Sequence, residues 1–289
     1  MIPVVGERAA IEALRAALCG GLDPEADAAR SVVPVSHGHL LLMPAEWDRY
    51  VGVKVASVAP GNPALGHPRI QGTYLLHDAA TLAPLATLDA SALTAVRTAA
   101  VSALAVDVLA PAAASRLVVF GTGPQARSHI AAIRTVRPVA EVVVIGRSSA
   151  GEFASSVDGR VGSVADVAGA DLVVCATTAR TPLFDGARLP AGAMVVAVGS
   201  HEPDAREVDD AVAGGSTVVV EARSAALREA GDVVQAVRAG VLDPSTVVCL
   251  ADAVRGGVAV EPGRPVLFKS VGMAWEDLVI AAASWEKRA

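Results

Sequence analysis

Aromatic side chains are scarce: four Phe, three Trp and two Tyr make up 3% of the 289 residues. A core must therefore be built from small aliphatics, and alanine and valine dominate the 53% hydrophobic content. Cysteine is scarce too. Cys19, Cys175 and Cys249 are widely spaced and show no metal-ligand spacing. They read as buried, inert thiols in a reducing cytosol, so a cytoplasmic protein without a metal is expected. Lysine and arginine form no cluster, and the formal net charge is −6, which argues against a nucleic-acid partner. No apolar run is expected to reach the roughly 18 residues of a membrane span. The opening MIPVVGERAAIEALRAAL has early acidic residues and no cleavage site, unlike a signal peptide. At 19% charged residues the composition is globular, and the length suits two domains better than one.

What is present is a strand running into glycines. In RLVVFGTGPQ, four apolar residues, Leu117 to Phe120, meet Gly121-Thr122-Gly123, and a helical pattern opens near Gln125. A short continuous apolar run reads as a buried parallel strand. The first glycine permits a tight turn and the second lets the backbone approach a pyrophosphate, next to the free N–H groups of a helix start. The third position of the fingerprint falls on Ala126, which the looser form of the motif allows. Gly121, Gly123, Pro124, Gln125 and Ala126 are thus candidate cofactor contacts. A second strand, Val142–Ile145, ends in Gly146-Arg147-Ser148-Ser149. An acid at that point would take a ribose 2′-OH, whereas an arginine accommodates a 2′-phosphate. Arg147 and Ser148 therefore favour NADP, with NAD possible. Further strands are expected at 172–176, 193–198, 217–221 and 247–250, with helix-like sequence at 225–239. Thr177 and Thr178 follow the strand at 172–176, at the end where ligands sit in open α/β sheets.

The front of the chain is patterned differently. Val32–Val35 and Leu40–Met43 flank Ser-His-Gly-His like a hairpin, and 73–77 with 84–88 form a second strand pair. In YVGVKVASV, residues 50–58, the valines alternate with Gly52, Lys54 and Ala56. Lys54 either faces solvent from an edge strand or projects into a pocket where its two small neighbours leave room. A helix capped by Asp89 or Ser91 carries LTAVRTAAVSALAVDVLA, with an expected stripe of Leu93, Val96, Ala100, Leu104 and Val108. Its Arg97 is either a surface residue or an anion holder among small neighbours. The tail supplies a short strand, a glycine turn and a helix from about Ala274.

Six ordered blocks (RSVVPV with LLMPA, GVKVASVAPGNP, LTAVRTAAVSALA, GTGPQA, VGSHEPDAREVD and FKSVGMAWEDL) resemble the ornithine cyclodeaminase / mu-crystallin family. The resemblance runs from about residue 29 to 285. It implies an α/β protein in which a Rossmann dinucleotide-binding domain, placed at 97–265, joins an α+β substrate-binding and dimerisation domain, placed at 1–96 and 266–289. It further implies a homodimer, with the active site between the domains. Arg30 and Arg97 would hold a substrate carboxylate, a task suited to charge-assisted bidentate bonds. Lys54 would face the reacting carbon and nitrogen, its pKa lowered by desolvation and by two nearby arginines. Thr177 and Ser270 would line the nicotinamide.

One position departs from the pattern. Cyclodeaminase members carry an aspartate where this chain has His201, and Asp204 lies three residues too late to match. Ornithine cyclisation with loss of ammonia is therefore in doubt, while hydride transfer to a C=N bond is untouched. His201 is either a catalytic proton source or a loop histidine capping a turn. The expected activity is NAD(P)H-dependent reduction of a small imino or ketimine carboxylate, or reductive amination of a 2-oxo acid. A cyclodeaminase recycling bound NAD and a ligand-binding protein of the crystallin type are the alternatives. The partner in each case is a small amino or imino acid, with no membrane.

Overall fold

The computed structural model describes residues 1–147 and 149–288. Along the chain it forms α1 (Glu7–Cys19), β1 (Ser31–Val35), β2 (Gly38–Trp47), β3 (Tyr50–Val58), β4 (Ile70–Asp78), β5 (Pro84–Asp89) and α2 (Ala90–Leu109). Then come β6 (Arg116–Phe120), α3 (Pro124–Arg134), β7 (Glu141–Ile145), α4 (Ala150–Ser156), β8 (Arg160–Val161), β9 (Leu172–Cys175) and β10 (Met194–Ala197). The remainder is α5 (Asp210–Gly215), β11 (Thr217–Val220), α6 (Arg223–Glu229), α7 (Gly231–Arg238), β12 (Val248–Cys249), α8 (Leu250–Val254), β13 (Val266–Lys269) and α9 (Ala274–Glu286).

Two compact units result: Met1–Arg97 with Met273–Ala289, and Thr98–Gly272. The first holds an antiparallel sheet in the order β1-β2-β3-β4-β5, so β3 is its central strand. α9 packs against α1, β2, β3 and β4. The alternation in β3 is resolved in favour of its small residues. Gly52, Lys54 and Ala56 are on the buried side, while Val51, Val53 and Val55 are only half-buried. Cross-strand pairing puts Met43, Lys54, Tyr74 and Leu88 in one buried row.

The second unit holds a parallel sheet in the order β12-β11-β13-β10-β9-β6-β7-β8. Its central strands, LVVC, MVVA and VLFK, are buried throughout, as expected where both faces of a parallel sheet are covered. The chain moves outward from β6 in both directions, toward β7 and β8 on one side and β9 and β10 on the other. The switch point therefore lies between the ends of β6 and β9, the usual ligand crevice of open α/β sheets.

Several expectations need correction. The boundary at 265/266 is too early. β13 pairs in parallel with β10 and β11, and residues 266–272 belong to the second unit. The stripe drawn on α2 is too narrow, because every residue from Arg97 to Val106 is buried. α2 is also long and apolar enough to cross a membrane, contrary to the reading of the bare sequence, but 67% of its apolar window is buried inside the structure. The helical stretch at 225–239 is two helices parted at Ala230. Cys175 and Cys249 are buried as expected, whereas Cys19 is exposed. It ends α1, off the face that buries Ala10, Ile11, Leu14, Ala17 and Leu18.

Candidate active site

In the first unit a buried charge cluster forms around the start of α9. Lys54 Nζ donates to Asp277 Oδ2 at 2.6 Å, and Arg97 Nη1 donates to Glu276 Oε2 at 2.7 Å. Arg97 Nε lies 3.5 Å from Asp277 Oδ1, so one carboxylate touches both cations. Lys54 is 4% exposed, Arg97 7%, and both acids 0%, which settles the two open placements in favour of burial. Charges this deep must be paired. Two carboxylates in the first turn of α9 also sit where the helix dipole favours negative charge.

Burial lowers the pKa of Lys54 most. Asp277 opposes that shift and Arg97 adds to it, leaving the ammonium below its ordinary value. The charges that weigh most on Lys54 are thus one arginine and two acids, in place of the expected pair of arginines. Arg30 stands half-buried immediately ahead of β1.

Two further residues shape this cluster. Asp27 Oδ2 accepts from the N–H groups of Ala274 and Trp275, capping α9. Tyr74, the cross-strand neighbour of Lys54, is fully buried, and among the described residues its hydroxyl has no hydrogen-bond partner. That hydroxyl occupies the space a Cβ on Gly52 would need, so the glycine is required by Tyr74.

In the second unit the glycine turn has the form a dinucleotide needs. Gly121 has φ +116°, and a Cβ there would collide with the Ala176 carbonyl at the end of β9. Gly123 is different, since among the described residues a Cβ there would meet nothing within 4 Å. None of those residues packs against its face at the helix start. Gly123 is the N-cap of α3, with Pro124 at the first turn. The donors of a helix start and its positive dipole end fit a pyrophosphate. Gln125 and the buried Ala126 follow in the first turn. Arg147 is exposed just past β7, and Thr122 Oγ1 lies 3.4 Å from Ser149 Oγ across the same edge. Ser148 lies outside the described residues.

Thr177 and Ser270 do follow strand ends, but their hydroxyls are already used. Thr177 Oγ1 donates to Glu207 Oε1 at 2.7 Å and accepts from Ala179 N–H at 3.1 Å. Ser270 Oγ donates to Glu221 Oε1 at 2.7 Å and is 1% exposed. Both hydroxyl protons are held by buried carboxylates. His201 is exposed in the loop after β10. Sequence reasoning missed the acids involved: Glu276 and Asp277 in the first unit, Glu207, Glu221 and Asp232 in the second. The available signal was charge inside apolar sequence, as in AWEDLVIAAA, because a helix buried all round can carry acids only if they are paired.

A parallel sheet with this switch point and glycine turn defines a Rossmann-type dinucleotide-binding fold. The chain belongs to the ornithine cyclodeaminase/mu-crystallin family, whose model matches residues 7–288. It is 34% identical over 263 residues to a Delta(1)-pyrroline-2-carboxylate reductase of Bacillus cereus, covering 86% of this chain and 81% of the relative. It is 35% identical over 263 residues to the ketimine reductase mu-crystallin of Mus musculus, covering 87% and 82%. The structure of Thermococcus litoralis Delta(1)-pyrroline-2-carboxylate reductase in complex with NADH and L-proline superposes with a TM-score of 0.91. Its identity is 30%, over 98% of this chain and 94% of that one.

Proposed function

We propose that this protein reduces a small cyclic imino carboxylate, of the pyrroline- or piperideine-2-carboxylate kind, to the corresponding amino acid. The observation that carries the reading is the buried Lys54 ammonium, held 2.6 Å from Asp277 with its pKa pulled down. Reducing a C=N bond takes a hydride at carbon and a proton at nitrogen. A bound NADPH would supply the hydride. Lys54 supplies the proton, and a pKa nearer neutrality makes it a better donor than an exposed lysine. Arg97 and Arg30 hold the substrate carboxylate through guanidinium donors. Gly121, Gly123 and the first turn of α3 hold the pyrophosphate, and Arg147 meets the 2′-phosphate. The names of the relatives support an imine reductase. So does His201, standing where a cyclodeaminase has its aspartate.

The test is a panel of cyclic imino acids, 2-oxo acids with amines, and ornithine, each with NADPH and with NADH. Net consumption of NADPH by a cyclic imino acid is expected. Release of ammonia from ornithine without net consumption would make the protein a cyclodeaminase, and ligand binding without turnover a binding protein. Lys54→Ala should abolish turnover while NADPH affinity stays nearly unchanged. Loss of cofactor affinity in that variant would refute the role given to Lys54.

A homodimer is part of the same proposal. The sheet face opposite Lys54 carries Val33, Leu40, Leu42, Val51, Val53, Val55 and Leu75, all exposed or half-exposed. An apolar face of this kind marks an association surface. Sedimentation of the purified protein at twice the chain mass is expected, and a monomer at micromolar concentration would refute it.

A further inference from the structure

The C-terminal ends of β9, β10 and β13 are tied together by a chain of buried charges. Glu207 Oε1 accepts from Thr177 N–H at 2.8 Å and from the Thr177 hydroxyl at 2.7 Å, just past β9. Its Oε2 accepts from Gly199 N–H at 2.7 Å, just past β10. Glu207 is itself held in place, because Asp232 Oδ1 accepts from the N–H groups of Glu207 and Val208 at 2.7 and 2.9 Å. The other oxygen of Asp232 lies 3.0 Å from Lys269 Nζ, at the end of β13. Lys269 Nζ donates in turn to the Ser200 carbonyl at 2.6 Å, and the Ser200 hydroxyl donates to Ala205 O at 2.6 Å. Glu207, Asp232 and Lys269 are each no more than 1% exposed.

Desolvating three charges is costly, and a hydrophobic trio would serve packing as well. These charges instead direct their hydrogen bonds to loop backbone at the ligand end of the sheet. We infer that Glu207, fixed by Asp232 and Lys269, is a positioning residue that sets the geometry of two segments, 177–179 and 199–205. These carry Thr177 and His201 at the edge where substrate and nicotinamide are handled. The inference rests on the reductase reading for its consequence in turnover, but not for the tie itself.

Two variants test it, each followed by amide hydrogen exchange in the unliganded protein, NADPH binding and steady-state kinetics. Glu207→Ala should speed exchange in both segments by roughly tenfold relative to the rest of the second unit. It should lower kcat by about tenfold while the Kd for NADPH changes by less than about threefold, because none of the groups Glu207 accepts from lies in α3. Glu207→Gln keeps an oxygen for Thr177 but turns an amide N–H toward Gly199 N–H. It should therefore protect 177–179, release 199–205 and recover part of kcat. Exchange that rises evenly across the unit, or loops that loosen with kcat unchanged, would overturn the inference. A wild-type protein that turns over no imino acid would refute the reductase reading, and the exchange experiment would still decide the tie.

Discussion

Asp277→Asn isolates the charge that governs Lys54. The substitution keeps the volume of the side chain and removes one buried negative charge, 2.6 Å from Lys54 Nζ and 3.5 Å from Arg97 Nε. At 2.6 Å, with an effective dielectric constant of about 20, the Lys54 attraction is about 6 kcal/mol before desolvation is counted. Removing one partner of a buried pair costs about 3–5 kcal/mol in practice, because the remaining charge stays desolvated. Without that attraction the Lys54 pKa falls further below its ordinary value. The folded pKa of Lys54 already lies below its ordinary value. The native state thus sheds this proton before the unfolded chain does, and stability rises with pH between the two values. Asp277→Asn extends that window downward. The variant should be about 3 kcal/mol less stable than wild type at neutral pH, with the gap narrowing as pH rises. Urea denaturation across pH measures this. Reduction needs the protonated amine, so the alkaline limb of kcat should move to lower pH. A limb that stays in place while stability falls would show that Lys54 is not the proton donor.

Two further outcomes follow from packing and hydrogen bonding. Tyr74→Phe deletes a buried hydroxyl without a partner among the described residues and should leave stability equal or higher, while Gly52→Ala forces a methyl into that hydroxyl and should cost about 2 kcal/mol. Combining the two should recover most of the loss in thermal unfolding, and additive losses would mean the clash lies elsewhere. Arg137 donates to the Val106, Asp107, Ala110 and Pro111 carbonyls and to the Asp107 carboxylate, closing the end of α2. Arg137→Leu should lose about 3 kcal/mol in urea. Arg137→Lys should restore little of it, since one ammonium cannot span five acceptors, and full rescue would refute the capping role.

The sequence was most informative where local pattern and burial coincide. Strands such as LVVF and LVVC read as buried parallel strands because they are apolar on both faces, and the glycine turn after LVVF was visible in two residues. Pattern could not order the sheet. β13 enters between β10 and β11 although it follows both in the chain, and nothing in PVLFK records its neighbours. Lys54 and Arg97 were legible as candidates because each stands among small residues. Their partners were not, because pairing across 223 and 179 residues leaves no local periodicity. The carboxylates that hold the Thr177 and Ser270 hydroxyls were hidden for the same reason. A hydroxyl at a strand end looks available until a distant carboxylate is found to hold its proton.

The first unit is assembled from two stretches of chain separated by the whole of the second. During synthesis Lys54 and Arg97 leave the ribosome early, and the acids of α9 follow only after the parallel sheet has been made. Domains fold as they emerge, so the second unit can close while the five-stranded sheet still waits for its helix, holding two cations without their counter-ions. In that interval its apolar face and bare β1 edge are open to chaperones and to misassociation.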